Sequence, residues 1–165
     1  MMRARRPRPS STEHAIRLNA VDLLSYLRRR VGADDAPDLL GETFAIAWRR
    51  EHDTPSNPEQ ARMWLFGVAR AVVLNHQRGE RRRWALTQRI QTSAALPGTE
   101  SAADAHLDVR DAIARLDPDL AELVRLVHWD GMTLTEAAQI MGIPASTARG
   151  RYQRAKQDLR AALEI

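Results

Sequence analysis

The chain has 165 residues, 44% of them hydrophobic and 28% charged, with a formal net charge of +4. That is enough apolar material for one or two modest cores, and with no cysteine it has no disulfide, no Cys-based metal site and no thiol sensor. No run approaches the ~20 apolar residues that span a bilayer, and the five histidines are scattered. Membrane insertion, a metal and a cofactor are therefore not expected. Lys156 is the only lysine among 25 basic residues. Arginine suits planar, bidentate contact with phosphate and guanine.

Residues 1–17 open with "MMRARRPRPSSTEH", rich in Arg and Pro and followed by no apolar run, so this is not a secretory signal. A disordered basic tail and a cytoplasmic protein are expected. A tail that touches an anionic surface is the other reading. Asn19 is placed to cap a helix with the stripe Val21, Leu24, Leu27 and Val31, ending at Gly32. A second helix starts near "DDAPDLL", with Pro37 in its first turn, and is expected to bury Leu40, Phe44, Ala47 and Trp48. "REHDTPSNPEQ" reads as a loop. "ARMWLFGVARAVVLNHQR" is apolar almost all round and ends in the basic "RGERRR", which places it inside a bundle.

These pieces make a first helical domain over residues 18–84. Residues 85–106 lose apolar periodicity, contain Pro97-Gly98 and read as a flexible linker. The other possibility is that 86–90 prolong the preceding helix. The second domain, 107–165, begins with "LDVRDAIARL", where Leu107, Ala112, Ile113 and Leu116 share one side. Asp117-Pro118 supplies a cap and a first-turn proline for a helix burying Leu120, Leu123, Val124 and Val127, stopped at Asp130-Gly131. The fold class is all-α: two small helical domains on a tether.

Thr133-x-x-Glu136 is a capping box for a short helix ending at Gly142. Pro144 opens the last helix, and the pair has the layout of a helix-turn-helix, whose second helix enters the major groove. At about 100° per residue, Ala148, Tyr152, Ala155, Leu159 and the Ala162/Leu163 pair form one apolar stripe. Opposite lie Ser146, Gly150, Gln153 and Gln157, flanked by Thr147, Arg149, Arg154 and Arg160. Gly150 costs a helix interior about 1 kcal/mol relative to alanine. Its place at the centre of the polar face suits close approach to a ligand.

The stretch "LDPDLAELVRLVHWDGMTLTEAAQIMGIPASTARGRYQRAKQDL" resembles region 4, the promoter-binding domain of extracytoplasmic-function sigma factors in the sigma-70 family. "DAPDLLGETFAIAWRR" followed by "ARMWLFGVARAVVLNHQRGERRR" resembles their region 2. The resemblance implies a dissociable subunit of RNA polymerase that touches the core at its clamp and flap, binds promoter DNA, and is a candidate for control by an anti-sigma factor. It assigns Asp38, Leu40 and Glu42 to the clamp, and Trp64, Arg70, Asn75 and Arg78 to minus-ten DNA. It assigns Ser146, Thr147, Arg149, Gly150, Arg151, Gln153 and Arg154 to the minus-thirty-five element. Gly41 stands where the family usually has glutamine, and Ala71 where many members carry asparagine.

Two other classes fit the sequence less well. A stand-alone helix-turn-helix regulator needs no "DLLGETFAIAW" helix. A recombinase or nuclease needs clustered carboxylates or a nucleophile among arginines. Asp34, Asp35 and Asp38 read instead as a helix N-terminus favoured by the dipole, so no catalysis is expected.

Overall fold

A computed structural model of the chain describes residues 10–90 and 105–163. Among these residues there are six α-helices and no strand. The helices are α1 (Ser11–Arg49), α2 (Pro58–Ile90), α3 (Ala105–Arg115), α4 (Pro118–His128), α5 (Leu134–Met141) and α6 (Ala145–Ala162), with a 3-10 turn at Glu51–Asp53. The chain divides into two compact units between Gln77 and Arg78. No described helix is long and apolar enough to cross a membrane.

In the first unit, α1 starts earlier than its sequence suggests. Ser10 is the cap, its hydroxyl accepting from the Glu13 N–H at 3.1 Å, so residues 11–17 are helical and not part of a tail. Residues 1–9 of the expected tail lie outside the described residues. Asn19 is not a cap but a buried residue inside the helix. Its Nδ2 donates to the Ala15 carbonyl at 2.8 Å, and its Oδ1 accepts from Arg62 on α2 at 2.7 Å.

The buried face is correspondingly turned from the expected one. Thr12, Ala15, Asn19, Leu23, Tyr26 and Leu27 are buried, while Val21 is 77% exposed and Leu24 and Val31 are half-buried. The helix breaks at Gly32, whose φ of 88° and ψ of 172° suit a residue without a Cβ. Beyond the break Pro37 sits in the first turn, where its missing N–H costs nothing. There the buried residues are Ala36, Leu39, Thr43 and Ala47, with Leu40 and Phe44 half-buried and Trp48 46% exposed. Thr43 satisfies itself by donating to the Leu39 carbonyl at 2.7 Å. Buried polar residues with local partners explain both corrections, because a hydrophobicity pattern does not mark them.

The loop before α2 is tied back to the start of α1. The hydroxyls of Thr12 and Thr54 share a hydrogen bond at 2.7 Å, and Asn57 Oδ1 accepts from the N–H groups of Glu59 and Gln60 to cap α2. α2 then supplies the other side of the core: Ala61, Met63, Leu65, Phe66, Val68, Ala69, Val72 and Val73 are buried. Phe66 meets Tyr26 edge-on with centroids 5.4 Å apart, a pairing worth about 0.5–1.5 kcal/mol beyond its area. The helix runs on to Ile90, so the expected linker over 85–106 gives up 85–90 to α2, and Ala105 and His106 belong to α3. Its middle, 91–104, lies outside the described residues.

The second unit packs α3, α4, α5 and α6 around Ile113, Leu120, Ala121, Val124 and Ala155, with Leu116, Trp129 and Leu159 partly buried against them. Asp117 caps α4, accepting from the Asp119 N–H at 3.0 Å, and Pro118 takes the first helical position. Leu120, Leu123 and Val124 are buried as expected, but Leu126 joins them and Val127 is half-buried. The side chain of Leu107 lies outside the described residues.

Candidate nucleic-acid interface

α5 and α6 are fixed to each other by their ends. The Thr133 Oγ1 accepts from the Glu136 N–H at 3.2 Å while Glu136 Oε2 accepts from the Thr133 N–H at 2.7 Å, a complete capping box. At the other end Gly142 takes a left-handed φ of 67°. The Ile143 N–H bonds the Ala138 carbonyl and the Gly142 N–H bonds that of Gln139, the Schellman pair that stops a helix sharply. Ala145 then starts α6 directly after the turn.

On α6 only Ala148 and Ala155 are buried, with Tyr152 and Leu159 half-buried on the same seam and Ala162 exposed. Ser146, Arg149, Gly150, Gln153 and Arg154 are exposed, and Thr147 is half-buried. A Cβ added at Gly150 would meet nothing within 4 Å. Internal packing therefore does not require the glycine. Arg151 differs from its neighbours: its Nη1 bonds Asp119 Oδ2 on α4 at 2.7 Å. Tyr152 donates to or accepts from His128 Nε2 at 2.7 Å, their rings nearly parallel. Both contacts hold α6 against α4, and neither partner is recognisable from spacing, since each joins residues more than twenty apart.

On α2 the four residues assigned to minus-ten DNA lie within the half of the helix turned from its core. At about 100° per residue, Trp64, Asn75 and Arg78 fall along one line with Ala71, and Arg70 lies on its flank. Asn75 and Arg78 are exposed, Trp64 and Arg70 half-buried, and the Arg50 guanidinium lies 5.9 Å from the Trp64 ring. On α1 Asp38 and Glu42 are exposed on the side away from Ala36, Leu39 and Thr43, whereas half-buried Leu40 lies one turn after Ala36 beside the packed side, so the three do not share one face. Among the described residues no group of three His, Asp or Glu could hold a metal.

Residues 15–83 match the family model for sigma-70 region 2, and residues 106–159 match that for sigma-70 region 4. The chain is 30% identical over 156 residues to the ECF RNA polymerase sigma factor SigC of Mycobacterium tuberculosis, covering 92% of this chain and 83% of the relative. It is 28% identical over 150 residues to SigL, an ECF RNA polymerase sigma factor of the same species, covering 88% and 85%. Its fold is similar to that of the sigma factor RpoE of Bartonella quintana, solved with the anti-sigma factor NepR. That likeness has a TM-score of 0.67 at 22% identity, over 95% of this chain and 99% of the other. It is also similar to CnrH, solved with the cytosolic domain of CnrY, at a TM-score of 0.61 and 22% identity over 93% and 87%.

Proposed function

The chain belongs to the extracytoplasmic-function sigma factors of the sigma-70 family, and from that membership we propose which of its surfaces do the work. It is an RNA polymerase sigma factor that joins the core enzyme and directs promoter-specific initiation. The region 2 match favours this over a stand-alone regulator, which has no use for a polymerase-binding half.

α6 reads the minus-thirty-five element, through Arg149, Gln153 and Arg154 at base edges and phosphates, with Ser146 and Thr147 at the entry to the groove. Each good bidentate base contact is worth roughly 1–3 kcal/mol of discrimination. Gly150 lets the helix backbone sit close to the DNA. Arg151 serves first as the strut to Asp119. Trp64, Arg70, Asn75 and Arg78 face the minus-ten element, where drawing a base out of its stack costs a few kcal/mol. Asp38, Leu40 and Glu42 dock on the polymerase clamp, and the second unit sits at the flap. The chain contributes binding and no bond-breaking chemistry, and it works in the cytoplasm beside the polymerase. Because RpoE and CnrH were each solved with a partner, NepR and CnrY respectively, an anti-sigma factor is proposed here too.

The observation that carries this reading is α6 itself, with its arginines and glutamines opposite a two-alanine seam and a bare Gly150 between them. Transcription in vitro with purified core polymerase on pooled genomic promoter fragments tests it. Discrete start sites that appear only when the chain is added are expected. Gly150→Glu should abolish them while leaving core binding intact. Nanomolar, sequence-specific DNA binding by the chain without core would overturn the reading.

A further inference from the structure

α6 carries four arginines, Arg149, Arg151, Arg154 and Arg160, and one of them is held differently. Arg154 has Asp158 one turn further on, but at 3.9 Å the pair is no hydrogen bond and leaves the guanidinium free to turn outward. Arg149 has no carboxylate partner among the described residues. Arg151 reaches back to another helix, its Nη1 donating to Asp119 Oδ2 at 2.7 Å. That is the length of a charge-assisted bond.

The placement is as informative as the distance. At about 100° per residue, Arg151 follows Thr147 at i+4 and precedes Arg154 at i+3. It therefore stands at the same edge of α6 as two residues proposed to meet the groove. The carboxylate that turns it away is itself fixed. Asp119 lies in the first turn of α4, where the helix dipole favours a negative charge. Its N–H donates to Asp117 Oδ1 at 3.0 Å, and Leu120 beside it is buried in the core. The two side chains are 37% and 47% exposed, and ion pairs so open to water add little to stability. Their effect on charge is larger, because a guanidinium matched with a carboxylate offers a phosphate no net attraction.

We propose that Asp119 restrains sequence-independent DNA binding, holding the Arg151 guanidinium at α4 and so withholding one phosphate contact from α6. This rests on the sigma-factor reading above. Phosphate contacts add affinity evenly across sequences, whereas base contacts carry the sequence information. A genome offers on the order of 10⁶–10⁹ competing sites. A phosphate contact withheld shortens residence at all of them and leaves base reading by Arg149, Gln153 and Arg154 in place.

The test uses holoenzyme, assembled from core polymerase and the full chain, on a promoter fragment recovered by the transcription assay. The same fragment with its minus-thirty-five element scrambled is measured beside it. Asp119→Asn should bind both fragments about threefold to tenfold more tightly at 0.1 M salt, with a log–log salt slope steeper by about 0.9, the value for one phosphate. Asp119→Glu, which keeps the charge, should keep the wild-type slope. Asp119→Asn/Arg151→Ala should lose the gain, because the added contact is the arginine's. An unchanged slope in Asp119→Asn overturns the proposal. So does weaker binding to the promoter fragment only, which would make the bridge a strut for base reading. A gain that survives removal of Arg151 also overturns it, since the cause would then be lost repulsion between Asp119 and phosphate. Wild-type holoenzyme that binds the promoter fragment no better than core alone would overturn the sigma-factor reading, and the role of Asp119 with it.

Discussion

α2 and α6 are both expected to meet DNA, and they are built in opposite ways. α2 buries eight side chains between Ala61 and Val73, the large Leu65 and Phe66 among them. α6 buries two alanines. Alanine lets α6 lie close to its neighbours while most of its circumference stays free for a groove. A helix that must support an unstacked base works against a few kcal/mol, and needs a support that does not yield. A helix that inserts into an existing groove meets no such resistance and needs bare surface and exact orientation. With the proposed roles, anchoring depth follows the task.

Four experiments probe that contrast, starting with the largest effect. Phe66→Ala removes the ring packed on Tyr26 and should destabilise the first unit by about 3–5 kcal/mol in urea unfolding. A change below 1 kcal/mol would mean that α2 is not the anchored helix described. Arg149→Ala on α6 should leave stability untouched. It should erase upstream protection in footprinting and cost roughly 1–3 kcal/mol of discrimination between promoters.

Thr133→Ala should cost about 1 kcal/mol of stability in the second unit, because the Glu136 N–H loses the hydroxyl that caps it. Since α5 sets the start of α6, promoter binding should weaken with it. Gly150→Ala sharpens the contrast most. The added methyl meets open space, so thermal unfolding should show a gain of about 0.5–1 kcal/mol while promoter affinity falls. If affinity holds, the DNA does not come close at that position.

Much of the second unit was legible because its helices are short and bounded by residues with one strong reason to be there. Asp117-Pro118, Thr133 with Glu136, and Gly142 each answer the unpaired backbone groups at a helix end, and each is where the pattern puts it. The first unit hid its packing face. Asn19 looks like a cap and is a buried helix residue bonded to Arg62; Thr43 looks like surface and is fully buried. Val21 and Trp48 look like core and are exposed. On α1 large apolar residues such as Val21 and Trp48 stand outside the packed seam, so its period no longer selects the true face. Polar residues that bond within their own turn then mislead it further. At the candidate interface, the exposed face of α6 could be read from its wheel. The diversion of Arg151 to Asp119 depended on a partner 32 residues away that no local pattern announces.

Gly150 also bears on how promoter choice can change over generations. A glycine codon lies one nucleotide from serine, alanine, arginine and aspartate among others. Most substitutions in a folded chain are filtered first by their effect on stability, but a side chain appearing here collides with nothing inside the protein. On the proposed role of α6, mutations at this codon therefore reach selection chiefly through which genes are switched on. A slot on the face proposed to read promoters, where an added side chain does no harm to the fold, is a place where a regulon can drift without losing the protein that runs it.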